Sequence, residues 1–479
     1  MSTTTIFRAV IATFAVSIAA HRCSAQDATE FVGDWVGTLH AGQQEIGIVF
    51  HLSTDADGML SGSMDVPTQG GFGSPIESVT LDNASITLIL PLPGGASFSG
   101  TLIAADDLIE GTFSQGTTSL PLKLARADNA ETPRRPQEPT PPFPYLAEDV
   151  TFVGGDAGVT LAGTVTTPRG TGPFPGVVLI SGSGPHDRDS SMMGHKPFLV
   201  LADHLTREGI AVLRFDDRGT AQSGGDHASA TPEDFASDAL AALSFLSNRR
   251  NIADGKVGLI GHSEGALAAI IAVDRSDTVA FLITLVGGAL PGSESIRATT
   301  AAMGRINGAP EMVIAVNNQI YAALSGALAE VKKGETAIPL MRKTARELFS
   351  TLDPAMIAAS GMNMTVIDQM IRQFDRPNTR FVMSYDPRPA LRRLNIPTLA
   401  VLGSRDPISP SQVHAPAFAE AFAVSPGTDE IVKTLPGLNH LLQEAETGSP
   451  AEFGRITQTM SPVAMRLIST WIIERFGDR

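Results

Sequence analysis

The chain has 479 residues, 43 % of them hydrophobic, enough to bury a sizeable core and by length to form two or three domains. A formal net charge of −15, with no cluster of Lys and Arg, excludes nucleic acid as a partner, because phosphate binding needs a basic footprint. The single cysteine, Cys23, excludes a disulfide framework.

Residues 1–25 read as a secretory signal peptide: Arg8 precedes about a dozen mostly apolar residues, and the small residues Cys23, Ser24 and Ala25 close it. Cleavage after Ala25 would remove Arg8 and Arg22 and no acid, taking the net charge from −15 to −17. The mature chain is then expected to be exported, to the periplasm or the extracellular medium. AAHR before Cys23 is not the small-residue pattern of a lipidation site. The apolar run is too short for a comfortable membrane span, and no later segment reaches the roughly 18 apolar residues that spanning requires. No stable membrane insertion is expected.

Residues 26–130 read as an N-terminal β-domain, a small barrel or sandwich. Short alternating runs such as EIGIVFHL and SITLILPL are separated there by the turn signals DADG, DNAS and PGG. Residues 131–145, ETPRRPQEPTPPFPY, carry six prolines, which remove backbone donors and favour extended conformations, so they read as a linker.

From residue 146 to 479 apolar strands alternate with helices: GVVLIS, KPFLVLADHLTREG, IAVLRF, a helix from Thr231, then VGLIG. Thr231 is placed to cap that helix, with Pro232 at its first position and Glu233 and Asp234 in its first turn. The order implies a mostly parallel sheet covered on both faces. From about 290 to 380 the alternation gives way to helical, Met-rich sequence, an insertion expected to cap the sheet; strands resume with IPTLAVLG and DEIVKTLPG.

The stretch VGLIGHSEGALAAI places Ser263 between a strand and a helix, with Gly261 and Gly265 where side chains would collide with a strained turn. A bare GxSxG arises by chance; between this strand and this helix it reads as a nucleophile elbow. A Ser hydroxyl needs a base oriented by an acid. In the order Ser, Asp, His, the acid follows a later strand and the His the last one. Asp406 in VLGSRDPIS and His440 in TLPGLNHLL fill those places. An oxyanion hole needs two backbone donors: the amide of Glu264, after the nucleophile, and one from GVVLISGSGPHDRD, where Ser183 stands between Gly182 and Gly184.

Other residues have plainer readings. His262 lies beside Ser263 but cannot face its hydroxyl from another loop, so it is structural. The Glu264 side chain suits a helix N-terminus. His186, His195 and His227 lack a spacing that suggests a metal. Asp217 and Arg218 of RFDDRGTAQSGG tie backbone together rather than take part in chemistry.

These residues resemble the α/β-hydrolase superfamily, and more closely a group of exported bacterial esterases filed under serine aminopeptidase-like (S33-type) hydrolases with an N-terminal β-domain. The resemblance rests on SGSGPHDRD, GHKPFLVLADHLTREGIAVLRFDDRG, GHSEG, SYDPRPALRRLNIPTLAVLGSRD and LPGLNHLLQEAETGSPAEFG, and in the first domain on GDWVGTL, MDVPTQG and GTFSQG. It implies Ser263 as nucleophile, Asp406 as orienting acid, His440 as general base and the amides of Ser183 and Glu264 as oxyanion donors. Two departures stand out: TAQS follows DDRG where a Gly and a Lys are usual, and Ala266 replaces a further Gly after GHSEG.

The expected function is a serine hydrolase, a carboxylesterase acting on a small acyl ester through an acyl-enzyme without cofactor or metal. The alternative is a peptidase, aminopeptidase or amidase with the same triad. An aminopeptidase needs an acid near the pocket for a free α-amine, for which Glu311, Glu330, Glu347 and Asp375 are candidates. A third reading is a binding protein whose β-domain acts while the hydrolase domain is inert.

Overall fold

Nine antiparallel strands build the first domain in the computed structural model. It describes residues 28–477 apart from 42–43, 55–58, 67–70, 91, 93–94, 117, 128–134, 156–157, 333 and 428. The leader expected at 1–25 and the first residues of the Pro-rich segment lie outside the described residues. The strands are β1 (Gly33–Ala41), β2 (Gln44–Thr54), β3 (Leu60–Val66), β4 (Gly71–Pro75), β5 (Ser78–Asp82), β6 (Ser85–Leu90), β7 (Ala96–Ile103), β8 (Leu108–Gln115) and β9 (Thr118–Arg126). They form one sheet in the order β4-β3-β2-β1-β9-β8-β7-β6-β5. Period-2 alternation turns Ile48, Phe50 and Leu52 of β2 and Ile86, Leu88 and Leu90 of β6 into a single core around Trp35. The buried indole N–H of Trp35 donates to Phe31 O at 2.8 Å, and the Arg126 guanidinium lies 4.4 Å over its ring.

Residues 135–145 do not run free between the domains. The Arg135 guanidinium donates to the carbonyls of Met193, Gly194, Gly454 and Ile456 at 2.6–3.1 Å. Gln137 bonds Thr459 and Met460, and buried Tyr145 donates to Asp203 at 2.8 Å. Proline-rich backbone has few donors of its own, so these side chains fasten it to the second domain.

The second domain has an eight-stranded sheet with helices on both faces, the α/β-hydrolase fold. Its strands are β10 (Leu146–Gly154), β11 (Val159–Thr167), β12 (Phe174–Ile180), β13 (Ala211–Phe215), β14 (Ile252–His262), β15 (Leu282–Leu285), β16 (Thr398–Gly403) and β17 (Glu430–Leu435). The order is β10-β11-β13-β12-β14-β15-β16-β17, antiparallel through β10, β11 and β13 and parallel from there on. Both faces of a strand are apolar because both are covered. Val178 and Ile180 of β12 face α2 (Pro232–Ser247) and α3 (Glu264–Arg275), whereas Val177 and Leu179 face α1 (Pro197–Arg207) and α12 (Pro462–Phe476). The start of α2 follows its sequence signals, with Pro232 in its first turn and the Asp234 carboxylate accepting from the Thr231 amide and hydroxyl at 2.9 Å.

Between β15 and β16 lies the helical cap: α4 (Gly292–Ile306), α5 (Glu311–Glu330), α6 (Ile338–Thr351), α7 (Pro354–Ser360), α8 (Met364–Phe374) and α9 (Pro377–Ser384). Two further helices follow, the short α10 (Arg388–Leu391) before β16 and α11 (Ser411–Phe422) after it. Helix α5 corrects the expectation about spanning length. Its 20 residues, at a mean hydropathy of 1.3, are long and apolar enough to cross a membrane by length and composition. Here Val316, Ile320, Leu324 and Leu328 fill the cap's own core with Met341, Ile367 and Ile371.

Candidate active site

Ser263 has φ +54° and ψ −117°, a strained conformation at the point where β14 turns into α3. The turn is tight enough to forbid side chains on either side. A Cβ on Gly261 would stand 2.2 Å from Gly265 O, and one on Gly265 would stand 2.3 Å from both Ile180 O and Ser181 O. The turn lifts Ser263 off the end of the sheet, while its amide donates to Leu285 O at 2.9 Å.

The structure brings Ser263, His440 and Asp406 into one hydrogen-bonded chain. His440 Nε2 lies 2.9 Å from Ser263 Oγ, and His440 Nδ1 lies 2.8 Å from Asp406 Oδ2. A carboxylate can only accept, so His440 carries its proton on Nδ1, and its Nε2 lone pair accepts from the hydroxyl. Asp406, 4 % exposed, follows β16, and its Oδ1 accepts from the amides of Ile408 and Ser409 at 2.8 and 2.9 Å. His440, 6 % exposed, follows β17.

His262 supports this chain from outside it. Its Nε2 donates to His440 O at 3.0 Å, and burial beside His440 pushes its pKa down to about 3, so it stays neutral. The loop of His440 is fixed by residues the sequence reading passed over. Asn439 Oδ1 accepts from the amides of Leu441 and Gln443, and its Nδ2 donates to Gln443 Oε1 at 2.9 Å. Gln443 in turn meets His195, which is fully buried, bonds Thr459 and Phe453, and has its pKa driven down to about 4 by burial.

The loop 181–186 lies beside Ser263. A Cβ on Gly182 would lie 3.3 Å from Ser263 Cβ, and Gly184 has φ +95°. Among the described residues the amides of Ser183, in this loop, and of Glu264, the residue after Ser263, have no protein acceptor. Asp217 holds both ends of the loop, accepting from Ser181 Oγ with one oxygen and from the His186 amide at 3.0 Å with the other. Burial pushes its pKa up to about 7. Arg218 is turned away into an ion pair with buried Asp238.

Glu264 carries more than a helix-terminal charge. Its Oε2 accepts from Ser183 Oγ at 2.9 Å and its Oε1 from Asn378 Nδ2, in α9 of the cap, at 2.7 Å. Burial shifts its pKa upward. The acids proposed from sequence to receive an amine are engaged elsewhere or exposed. Glu311 pairs with Arg305, Glu347 with Lys343, Asp375 accepts from Thr336 and the Ala337 amide, and Glu330 is exposed. Among the described residues no group of His, Cys, Asp and Glu could hold a metal ion.

A family model described as serine aminopeptidase, S33, matches residues 195–447, more than half of the chain and including Ser263, Asp406 and His440. The chain belongs to the serine aminopeptidase S33 family. The chain is also similar to Esterase EstD of Thermotoga maritima, 34 % identical over 135 residues that make up 28 % of this chain and 31 % of EstD. The match thus spans about a third of that curated relative. Similar solved structures include the Pyrococcus furiosus esterase Pf2001, at 16 % identity and a TM-score of 0.39 over 70 % of this chain and 94 % of that one. Proline iminopeptidase of Mycobacterium smegmatis is another, at 16 % identity and a TM-score of 0.40 over 68 % of this chain and 98 % of that one.

Proposed function

We propose that the protein is an exported carboxylesterase that works through an acyl-enzyme on Ser263. The observation that carries this reading is the chain from Ser263 Oγ through His440 to Asp406, at 2.9 and 2.8 Å, with the amides of Ser183 and Glu264 lacking an acceptor among the described residues. His440 Nε2 takes the hydroxyl proton as Ser263 attacks the ester carbonyl. Asp406 stabilises the resulting imidazolium, and the amides of Ser183 and Glu264 donate to the oxyanion. The imidazolium then gives its proton to the departing alcohol. Water, deprotonated by His440, attacks the acyl-enzyme in the same geometry and releases the acid. Every proton is carried by His440, so the protein's own groups suffice for both steps.

The name of EstD supports an ester as the substrate, and residues 1–25 support export. The family's description favours a second reading, cleavage of an amide or of the bond after a free amino terminus by the same residues. One panel separates the two: p-nitrophenyl esters of graded acyl length beside free and amine-blocked aminoacyl p-nitroanilides. Ester turnover is expected, lower by a factor on the order of 10⁶ in kcat for Ser263→Ala. Turnover of the free-amine anilides alone, lost on blocking, would favour the peptidase. Near-normal ester hydrolysis by Ser263→Ala would remove both readings.

A further inference from the structure

The mechanism uses the amides of Ser183 and Glu264 but leaves the Glu264 carboxylate without a part in it. That carboxylate bonds one residue of the loop beside Ser263 and one residue of the cap. It accepts from Ser183 Oγ at 2.9 Å and from Asn378 Nδ2 at 2.7 Å. The two residues proposed to donate to the oxyanion are thereby bonded to each other through their side chains. That hydrogen bond directly bridges the two residues whose spacing would be the width of an oxyanion hole.

The rest of the loop makes this bond decisive. Asp217 fixes residues 181 and 186, the two ends. Between those ends Gly182 and Gly184 impose little of their own, and Gly184 takes a positive φ. Ser183, in the middle, is held from the side by Glu264 and by its own carbonyl, which accepts from His186 Nε2 at 3.0 Å. Removing the hydroxyl would leave the Ser183 amide in place chemically but held only through the carbonyl bond to His186. Donors that are not held in position must reorganise as charge forms, and that reorganisation lowers kcat rather than affinity.

We propose that Glu264 is a positioning residue that sets the oxyanion hole by anchoring Ser183, and that the cap takes part in catalysis by holding Glu264 through Asn378. The inference rests on the esterase reading above. Asn378 lies in the first turn of α9, so a cap displaced from the sheet would withdraw one of the two neutral donors that hold the carboxylate. A cap in place therefore matters even for a substrate too short to reach it.

The test uses p-nitrophenyl acetate, whose acyl group has only two carbons, and the full-length protein. Ser183→Ala and Asn378→Ala are each expected to lower kcat by about tenfold or more with KM within about twofold of wild type. Loss of one oxyanion donor outright costs about 10²–10³ and bounds the effect. Ser183→Thr, which keeps the hydroxyl, should restore kcat to within about threefold. Because both residues act through Glu264, the double alanine variant should fall well short of the product of the two single losses. Binding of a trifluoromethyl ketone, which forms a tetrahedral adduct, should weaken in step with kcat/KM. Alanine variants within twofold of wild type in kcat, or losses confined to KM for long acyl chains, would overturn the proposal while Ser263→Ala remained inactive. Full activity of Ser263→Ala would instead overturn the reading on which it rests.

Discussion

Asp406 has its two oxygens committed to different partners, Oδ1 to the amides of Ile408 and Ser409 and Oδ2 to His440. Asn at this position would keep its carbonyl on the amides and turn its NH₂ group toward Nδ1. His440 would then have to carry its proton on Nε2, where it could not accept from Ser263. Asp406→Asn is expected to fold with an unchanged thermal transition yet lose about 10⁴ in kcat, read by parallel melting and ester hydrolysis. At this scale much of the site is legible in the sequence. Ser263, Asp406 and His440 each stand at a strand end in the chain order of the fold, and the two glycines mark the turn. Asn439, Gln443 and Asn378 were not legible, because a lone amide side chain carries no spacing signal and acquires a role only through contacts far away in the chain. In sequence the Glu264 side chain looks only like a helix-terminal acid for the same reason: its partner Asn378 is 114 residues away.

The loop 181–186 is the element on which the site most depends, and its two ends hang on one buried carboxylate. Burial raises the pKa of Asp217 from its ordinary 3.8 to about 7. The folded protein therefore holds this proton at pH values where the unfolded chain has lost it. The contribution to stability is full below about pH 4 and is lost as pH rises toward 7. Asp217→Asn, which cannot ionise, should lack that decline. Thermal unfolding between pH 4 and 7 is expected to show the wild type losing ground to the variant as pH rises, and parallel curves would contradict the assignment. Strands β12, β13, β14 and β16 are legible from their apolar runs, since strands covered on both faces are mostly apolar, whereas β10, β11 and β15 are not among the strands read from sequence. The cap was legible only as a helical insertion. Its core of Val316, Ile320, Met341 and Ile371 forms by packing among helices whose order the sequence does not encode locally. Helix α5 meets the length and composition of a membrane span, and only its partners in the cap show where its apolar face goes.

Across the whole molecule, a β-domain and a hydrolase domain are joined by a segment that Arg135 and Gln137 bind to the second of them. A Pro-rich composition signals extended backbone but not whether that backbone is docked, so a linker and a strap read alike in sequence. A further tie runs directly between the domains, from Arg455 to Glu45 at 2.7 Å; both side chains are well exposed, so it adds little stability. Everything proposed for the molecule nonetheless converges on one oxygen atom, Ser263 Oγ. The most direct test of that claim is to treat the purified protein with a fluorophosphonate, digest it and locate the adduct by mass spectrometry. A single phosphonylated site at Ser263, absent in Ser263→Ala and slowed in Asp406→Asn, is the expected result. Labelling at another residue, or none in a protein that still hydrolyses esters, would contradict it.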